Sequence, residues 1–238
     1  LAATLHFTSP RAWAFTLLGL RDYLTRFGGD RSVQGVQRAL ADKLVALYEQ
    51  HGTPEWPWLE PVLSYCNAAL PHALIATGAS LGRGDLTDLG LKLLDWLTEE
   101  QTRDGHLSFI GSNGFYPKGG PRATFDQQPV EAHAQVSACL EAYRVTGEAR
   151  YLAEATRAFE WFLGENDLGR PLYDPRTGGC RDGLHPDRVN QNQGAESTLA
   201  FLMSLLELRL GAAEDVTGHE PFAAALLGAE LEPATAAD

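Results

Sequence analysis

Acidic side chains recur in three segments that also hold amides or aromatic rings, and each segment leads into a predicted helix. Carboxylates and amides can bind pairs of sugar hydroxyls, while an aromatic face covers the apolar side of a sugar ring. These residue types therefore predict a carbohydrate site. The candidate catalytic carboxylates are Asp126, Glu196, Glu131 and Glu60. The candidate substrate-binding residues are Trp56, Trp58, Tyr65, Asn67, Gln127, Gln128, His133, Asp182, His185, Asn190, Asn192 and Gln193.

Two carboxylates are enough to hydrolyse a glycosidic bond. In the inverting mechanism a protonated acid donates to the glycosidic oxygen while a second carboxylate activates water, with the pair about 6.5–9.5 Å apart. Asp126 and Glu196 are the preferred pair because amide side chains flank each of them, and Glu131 and Glu60 are the reserves. The acid is the carboxyl in the drier, more negative surroundings, so the sequence leaves acid and base unassigned. No metal or organic cofactor is expected.

Simpler interpretations of the same residues remain open. The helix dipole favours any carboxylate in a first turn, and Asp126 could cap the fifth helix. Trp56 and Trp58 could pack in the core. Glu131 and His133 are two residues apart, so they point to different sides of a helix and form no metal pair. The sequence also lacks the motifs of serine hydrolases, phosphate loops and dinucleotide sites.

Helical periodicity dominates the chain and predicts an all-α protein. A small hairpin is predicted at His106–Ile110 followed by Ser112–Gly114, and the tail over 212–238 is expected to be partly disordered. The eight predicted helices span about Pro10–Phe27, with Ser9 as cap, Ser32–His51, Glu60–Thr77, Leu86–Arg103, Pro129–Thr146, Ala149–Glu165, Gly194–Leu210 and Pro221–Leu227.

The predicted helices alternate in kind. Helices three, five and seven are nearly free of charge and must be surrounded by protein, whereas helices two, four and six carry a charged face. This alternation predicts helical hairpins arranged as an inner and an outer ring, in one domain over residues 1–238 that could be a fragment of a longer chain. If the inner helices run parallel, their N-terminal ends meet at one mouth that gathers the four carboxylates.

The charge balance excludes some partners. The 238 residues include 31 acidic and 19 basic side chains, for a net charge of -12, which repels nucleic acid and anionic membranes. No apolar run is long enough for a membrane span, and no signal peptide opens the chain. Cys66, Cys139 and Cys180 are widely spaced, which indicates reduced thiols. A cytoplasmic location is therefore expected.

A family resemblance rests on three motifs: Trp56-Pro-Trp-Leu-Glu60, Asp126-Gln-Gln-Pro-Val-Glu131 and Asn190-Gln-Asn-Gln-Gly-Ala-Glu196. With the helix order, they resemble the six-hairpin glycosidase superfamily, an (α/α)6 toroid. More narrowly, the chain is similar to the helical domain attached to some bacterial group 1 glycosyltransferases. The resemblance covers about residues 5 to 211 and implies a bacterial glycosidase of carbohydrate metabolism, with a glycan or small sugar and a fused or neighbouring glycosyltransferase as partners. A full toroid has twelve helices, so the eight predicted here indicate an incomplete ring.

The resemblance leaves the reaction open, because the superfamily also includes epimerases and lyases. One alternative is a non-catalytic glycan-binding or scaffolding module that serves a glycosyltransferase. Another is a sugar epimerase or isomerase, which requires His133 and His185 to reach the mouth. A protein-binding helical repeat is disfavoured by the two long, aromatic and charged loops over 104–124 and 164–193.

Overall fold

The computed structural model describes the backbone of residues 2–215 and the side chains of residues 3–211. Within this part the chain is mainly helical, with six two-residue strands. The helices are α1 (Pro10–Arg26), α2 (Arg31–His51), α3 (Ala69–Leu81), α4 (Gly84–Glu100), α5 (Pro129–Thr146), α6 (Ala149–Leu163) and α7 (Ala195–Asp215), preceded by a 3-10 turn at Ala2–His6. The strands are β1 (Val62–Leu63), β2 (Thr102–Arg103), β3 (His106–Leu107), β4 (Tyr116–Pro117), β5 (Tyr173–Asp174) and β6 (Gly179–Cys180).

The sequence signals for helix ends agree with the structure in most places. Pro10 opens α1, where its missing N–H group removes no helical hydrogen bond. Ser9 occupies the cap position, but its side chain makes no capping hydrogen bond. Asp30 caps α2, since its Oδ1 accepts from Ser32 N at 3.0 Å and from Val33 N at 3.1 Å. The predicted bounds of α5 match the structure at both ends.

Two local predictions are wrong. The third helix begins at Ala69 rather than near Glu60, because the residues before it pair β1 with β4 and then form a turn. The hairpin is also displaced along the chain. Its two strands are β2 and β3, and the turn is Asp104–Gly105, with positive φ angles of 47° and 90°. An Asp-Gly pair is a strong hairpin signal, and it was missed in favour of the Asn-Gly pair further on.

Four helices lie side by side in the order α1, α3, α5, α7, and each contacts the next. Hydrogen bonds show that they run in the same direction. Asn67, just before α3, bonds both Arg11 in the first turn of α1 and Glu131 in the first turn of α5. Ser137 further along α5 bonds Glu207 further along α7. We call α1, α3, α5 and α7 the inner helices.

The remaining helices pack outside this row. Helices α2, α4 and α6 each follow an inner helix after a short connection and pack against it, so the described chain contains three complete hairpins and the first helix of a fourth. This is the alternation that the charge pattern predicts. The eighth predicted helix, at Pro221–Leu227, and most of the tail lie outside the described residues.

Burial differs between the inner helices. Helix α3 is almost entirely buried over its first ten residues, and α5 is buried on most of its surface. Helix α7 buries one side only. The expectation that protein surrounds α7 is therefore wrong within the described residues. Its open side carries five large apolar side chains, which are Leu199, Leu202, Met203, Leu206 and Leu210.

Among the described residues, none of the helices combines the length and the apolar character that crossing a bilayer requires.

Candidate functional site

The N-terminal ends of the inner helices meet, together with the loops that lead into them. We call this region the rim. Helix N-termini carry a partial positive charge that favours carboxylates nearby. The starts of the inner helices place acidic groups there: Glu60 in the segment before α3, Asp126 and Glu131 at α5, and Glu196 at α7. The structure thus gathers all four predicted carboxylates at one end of the inner helices.

Glu60 is engaged by an arginine that the sequence analysis did not single out. Arg11 Nη1 donates to Glu60 Oε2 at 2.7 Å, and both side chains are largely buried. Arg11 Nη2 donates to Asn67 Oδ1 at 3.3 Å, and its Nε donates to the carbonyl of Tyr65. We call Arg11, Glu60 and the 64–67 turn the Arg11 cluster. This cluster ties the start of α1 to the segment before α3.

Glu131 completes this cluster from α5. Its carboxylate accepts hydrogen bonds from Cys66 N, from Asn67 N at 3.2 Å and from Asn67 Nδ2 at 3.2 Å. The residue is 4% exposed. Burial raises the pKa of Glu131 to about 7, although the hydrogen bonds and Arg11 pull it in the other direction. Glu131 and the fully buried Asn67 therefore hold three inner helices together and have no open face for a ligand.

Glu196 is placed differently. It lies in the first turn of α7, is exposed, and forms no hydrogen bond or ion pair with the residues that the structure describes. Burial raises the pKa of the Tyr65 hydroxyl, and the negative charge of Glu196 raises it further. Tyr65 is 40% exposed. An accessible carboxylate and a phenol ring are therefore neighbours on the rim.

Asp126 pairs with His185 on the same rim. His185 Nδ1 lies 2.5 Å from Asp126 Oδ1, across 59 residues of sequence. The two side chains are 27% and 36% exposed, so both can meet a ligand from solvent. An ionised carboxylate has no proton to donate, so the hydrogen on this bond belongs to Nδ1. This leaves His185 Nε2 outside the pair.

A buried glutamine anchors the backbone on which Asp126 sits. Gln127 is fully buried, and its Oε1 accepts from Phe109 N at 3.2 Å and from Trp161 Nε1 at 2.9 Å. Its Nε2 donates to Thr124 O at 2.9 Å and to the Asp167 carboxylate. All of its side-chain groups are thus used within the protein. Gln127 is therefore bonded within the protein, where the sequence analysis expects contact with a sugar.

Two glycines allow the backbone at Asp126 and His185 to come this close. A Cβ atom on Gly111 would lie 1.9 Å from the carbonyl oxygen of Phe125, and one on Gly183 would lie 2.2 Å from that of Gln127. Gly183 also has a φ of 151°. Ser112 N donates to Asp126 O at 2.9 Å. A residue larger than glycine at either position would push the segment that carries Asp126 out of place.

Strand-like backbone pairing joins the segment that carries Asp126 to the segment that carries His185. Gln127 N donates to Leu184 O at 3.1 Å, and Leu184 N donates back to Gln127 O at 3.0 Å. His185 N donates to Arg188 O at 2.9 Å, which closes the turn that carries the imidazole. The backbone on both sides of the Asp126–His185 contact is therefore fixed independently of the side chains.

The loop from His185 to α7 uses its polar side chains internally. Asp182 Oδ1 accepts from Gly194 N at 2.7 Å, and its Oδ2 accepts from Asn192 Nδ2. Burial raises the pKa of Asp182, but hydrogen bonds from Ser197, Asn192 and Gly194 outweigh it, so the pKa lies below its usual value. This loop connects the Asp126 side of the rim to the Glu196 side.

The other amides of this loop have internal partners as well. Asn190 Oδ1 accepts from Asn192 N at 3.0 Å, and Gln193 Oε1 accepts from Thr177 Oγ1 at 2.7 Å. Asn192 is exposed, and Asn190 and Gln193 are half-buried, so a ligand could still reach part of each. The internal hydrogen bonds of these amides hold the conformation of the loop.

Both tryptophans lie in the core. Trp58 is fully buried and Trp56 is 4% exposed, with its ring edge-on to Trp96 and Tyr116. Trp56 Nε1 donates to the carbonyl of Glu60 at 2.8 Å. In this structure neither indole face can cover a sugar ring, so the expected platform is wrong. The apolar motif supports the turn that presents Glu60.

Two further candidates lie near the start of α5. Gln128 occupies the cap position of this helix, is half-buried, and makes no capping hydrogen bond through its side chain. His133 Nδ1 lies 3.2 Å from Ser204 Oγ on α7, and burial lowers the pKa of His133. His133 thus faces the neighbouring inner helix, while His185 reaches the rim.

Sequence reasoning missed Arg11 and Ser112. A signal for Arg11 was present, because a cation in the first turn of a helix is disfavoured by the dipole and implies a nearby anion. Ser112 carries no such signal. Its role depends on the approach of the 111–115 loop to the 123–126 segment, which backbone hydrogen bonds establish.

A cavity of about 380 Å³ lies further down between the inner helices. Glu141 on its wall is ten residues beyond Glu131, or about 15 Å along α5. Arg21 and Arg144 both pair with Glu141, and burial with these two charges lowers the pKa of His72 to about 3. The charged side chains on the cavity wall therefore pair with one another. The cavity is separate from the rim.

Metal-binding chemistry finds no ready site. Among the residues described, three or more His, Cys, Asp or Glu side chains never come together in an arrangement that could hold a metal ion. Burial raises the pKa of the Cys66 thiol to about 12, and all three cysteines are buried and unpaired.

The chain has a structural relative among solved proteins. No protein-family model matches it, and no curated protein matches it in sequence. Its structure is similar to that of the GH76A alpha-1,6-mannanase from Salegentibacter sp. HEL1_6, with a TM-score of 0.63 and 14% sequence identity. The match covers 88% of this chain and 57% of the mannanase chain. The fold is an α/α toroid of helical hairpins, as the sequence pattern predicts.

At 14% identity, the match to the mannanase shows the fold alone. The chain spans little more than half the length of the mannanase that it matches. The narrower resemblance to a domain attached to glycosyltransferases stays a prediction.

Proposed function

We propose that the chain is a carbohydrate-active domain that handles a neutral glycan at the rim, with glycoside hydrolase-like chemistry. The observation that carries this proposal is the state of the carboxylates. Glu60 and Glu131 are used in internal bonds, whereas Asp126 and Glu196 are accessible at the starts of two adjacent inner helices. The toroid fold of the matched mannanase supports the same class of activity.

The electrostatics of the rim favour an uncharged sugar. Four carboxylates lie at the rim, and Arg11, the cation among them, is already bound to Glu60 and Asn67. The rim carboxylates would repel the negative charge of a uronic acid or a phosphorylated sugar. The hydroxyl groups of a neutral sugar can donate hydrogen bonds to the same carboxylates and bring no negative charge with them.

A hydrolytic reaction at this rim needs one proton donor and one group that activates water. Asp126 with His185 forms one side, and Glu196 forms the other. The loop over 182–194 joins the two sides, so they are held on a common backbone. In this proposal, Glu131 and Glu60, which the sequence analysis kept as reserve catalytic carboxylates, have structural roles.

The decisive experiment measures hydrolysis and binding in single variants. Wild-type protein, Asp126→Asn and Glu196→Gln are assayed against a panel of neutral oligosaccharides, starting with α-1,6-linked manno-oligosaccharides. Asp88→Asn on α4 and Glu49→Gln on α2 are matched controls, since both are exposed and lie on outer helices. We expect each rim variant to lose about 100-fold or more in turnover, as removal of a general acid or base does, while the controls keep it.

A non-catalytic glycan-binding module is the second candidate. The internal use of Glu60 and Glu131 favours it, because it leaves fewer free carboxylates than a catalytic mouth with four would have. Calorimetric binding separates the two functions. A binding module shows affinity without turnover, and each rim substitution then weakens the affinity by a few-fold only. The absence of both binding and turnover across the panel would refute the proposal.

A further inference from the structure

The Asp126–His185 pair suggests a division of roles within the rim. We propose that His185 is the proton donor of the reaction and that Asp126 acts through it as a positioning residue. This inference rests on the proposed function, because it assigns roles at the same site. Its geometric basis is the contact between His185 Nδ1 and Asp126 Oδ1, and the exposure of both side chains.

The hydrogen bond fixes which nitrogen faces a substrate. The Asp126 carboxylate accepts at Nδ1, so Nε2 is the nitrogen that remains for a ligand. A protonated imidazole whose Nε2–H faces a ligand can donate that proton to it.

The surrounding scaffold is built to hold this pair. Gln127 bonds four different segments, including Phe109 and Trp161. Gly111 and Gly183 admit the close backbone approaches on both sides. Pairing of Gln127 with Leu184 then aligns the two chains. A half-exposed ion pair on a flexible surface contributes little to stability, so a rigid support around one indicates positioning for another purpose.

The proposed step is balanced in atoms and protons. His185 Nε2 gives its proton to the glycosidic oxygen as the bond from that oxygen to the anomeric carbon breaks. Water attacks the anomeric carbon, and the proton that it loses goes to the Glu196 carboxylate. The two protons then exchange with solvent, which restores imidazolium and carboxylate.

Leaving-group dependence tests the role of His185. His185→Gln and the matched surface control His6→Gln are compared with wild type on α-1,6-linked manno-oligosaccharides and on 2,4-dinitrophenyl α-mannoside. The dinitrophenolate leaves without protonation, so it does not need an acid. We expect His185→Gln to lose about 100-fold or more on the oligosaccharide and less than about 5-fold on the aryl glycoside. His6→Gln should match wild type on both.

The role of Asp126 has its own readouts. In Asp126→Asn we expect kcat on the oligosaccharide to fall with little change in KM, because the imidazole loses the acceptor that orients it. NMR of protein with ¹⁵N-labelled histidine should show a proton on Nδ1 of His185 in the wild type at alkaline pH and its loss from Nδ1 in the variant. A purely structural Asp126 would leave both readouts unchanged.

The outcomes separate this inference from the proposed function. If the wild type cleaves neither substrate nor any glycan of the panel, the hydrolytic function fails and the role of His185 fails with it. If the wild type is active and His185→Gln retains full activity on the oligosaccharide, only the inference is overturned. Equal losses on both substrates would also overturn it, since they would indicate a binding role.

Discussion

Two carboxylates at the start of α5, five residues apart, are put to opposite uses. Glu131 is buried, accepts three hydrogen bonds from the segment before α3, and links the inner helices. Asp126 is half-buried, contacts one imidazole, and keeps 36% of its side chain exposed. Asp126 lies three residues before α5, and Glu131 lies in the first turn of this helix. The role of each carboxylate follows from the segment that it contacts: the segment before α3 for Glu131 and the His185 loop for Asp126.

Removal of Glu131 should have the largest effect on stability. Glu131→Ala leaves three buried N–H groups and the Arg11 cluster without their acceptor, and unsatisfied buried donors cost about 1–3 kcal/mol each. We expect the free energy of unfolding to fall by about 3–5 kcal/mol in urea denaturation. Glu196→Ala, at the equivalent place on α7, should change it by less than about 0.5 kcal/mol. Equal losses would remove the distinction between the two kinds of carboxylate.

Gly111→Ala should disturb the Asp126 side next most strongly. The added Cβ would lie 1.9 Å from a backbone oxygen, so the 123–126 segment has to shift. Forced shifts of this kind cost about 2–3 kcal/mol. The control Gly29→Ala adds a Cβ with no heavy atom within 4 Å. Circular dichroism melts measure the stability loss, and loss of the His185 Nδ1 proton signal would report the displaced pair.

The pH dependence of stability should show the burial of Glu131. Burial raises its pKa to about 7 in the folded protein, above the value of 4.5 for an exposed glutamate. The folded state therefore binds more protons than the unfolded state between these values. The stabilisation is fully present below about pH 4.5 and is lost as the pH rises through about 7.

The matched variant for this measurement is Glu131→Gln, which cannot titrate. The unfolding free energy of the wild type relative to this variant should fall by an amount on the order of 2 kcal/mol between pH 4.5 and pH 7.5. The groups that face Glu131 are Arg11, Cys66 and Tyr65, and they are the same in both proteins. A difference that stays flat with pH would contradict the raised pKa.

Asp126→Ala should have the smallest effect on stability. The pair that it breaks is more than a quarter exposed on both sides, and exposed ion pairs contribute about 0–1 kcal/mol. We expect a change below about 1 kcal/mol in urea denaturation, close to that of Asp88→Ala on α4. A loss as large as that of Glu131→Ala would make Asp126 a structural residue and would weaken its assignment to the rim chemistry.

The architecture could be predicted because its signals are local and periodic. The alternation of charge-free and charged helices at three and four, then five and six, is visible in the sequence and matches the inner and outer layers. The start of α3 could not be placed, because Asn67 and the β1–β4 pairing stop the helix from extending back to Glu60. Those contacts join segments that are far apart in the sequence, so no local pattern reveals them.

The candidate site could also be predicted only in part, because its contacts join distant segments. Residue types predict a site at the helix starts and include Asp126, His185 and Glu196 among its candidates, but they do not separate accessible groups from bonded ones. Gln127 and Asn67 look like sugar ligands in the sequence because amides suit both sugars and buried backbone. Only their partners, Trp161 and Phe109 for Gln127 and Glu131 for Asn67, settle which use applies. Trp58 was misplaced for the same reason.

The spacing of these contacts along the chain sets an order of assembly. Asn67 meets Glu131 across 64 residues, whereas Asp126 meets His185 across 59 residues that begin almost where the first contact ends. On a ribosome, the N-terminal segments emerge first and domains fold as their partners appear. The contact between Asn67 and Glu131 can therefore form while His185, the partner of Asp126, is still untranslated. The nascent chain can thus link its inner helices before it forms the Asp126–His185 pair.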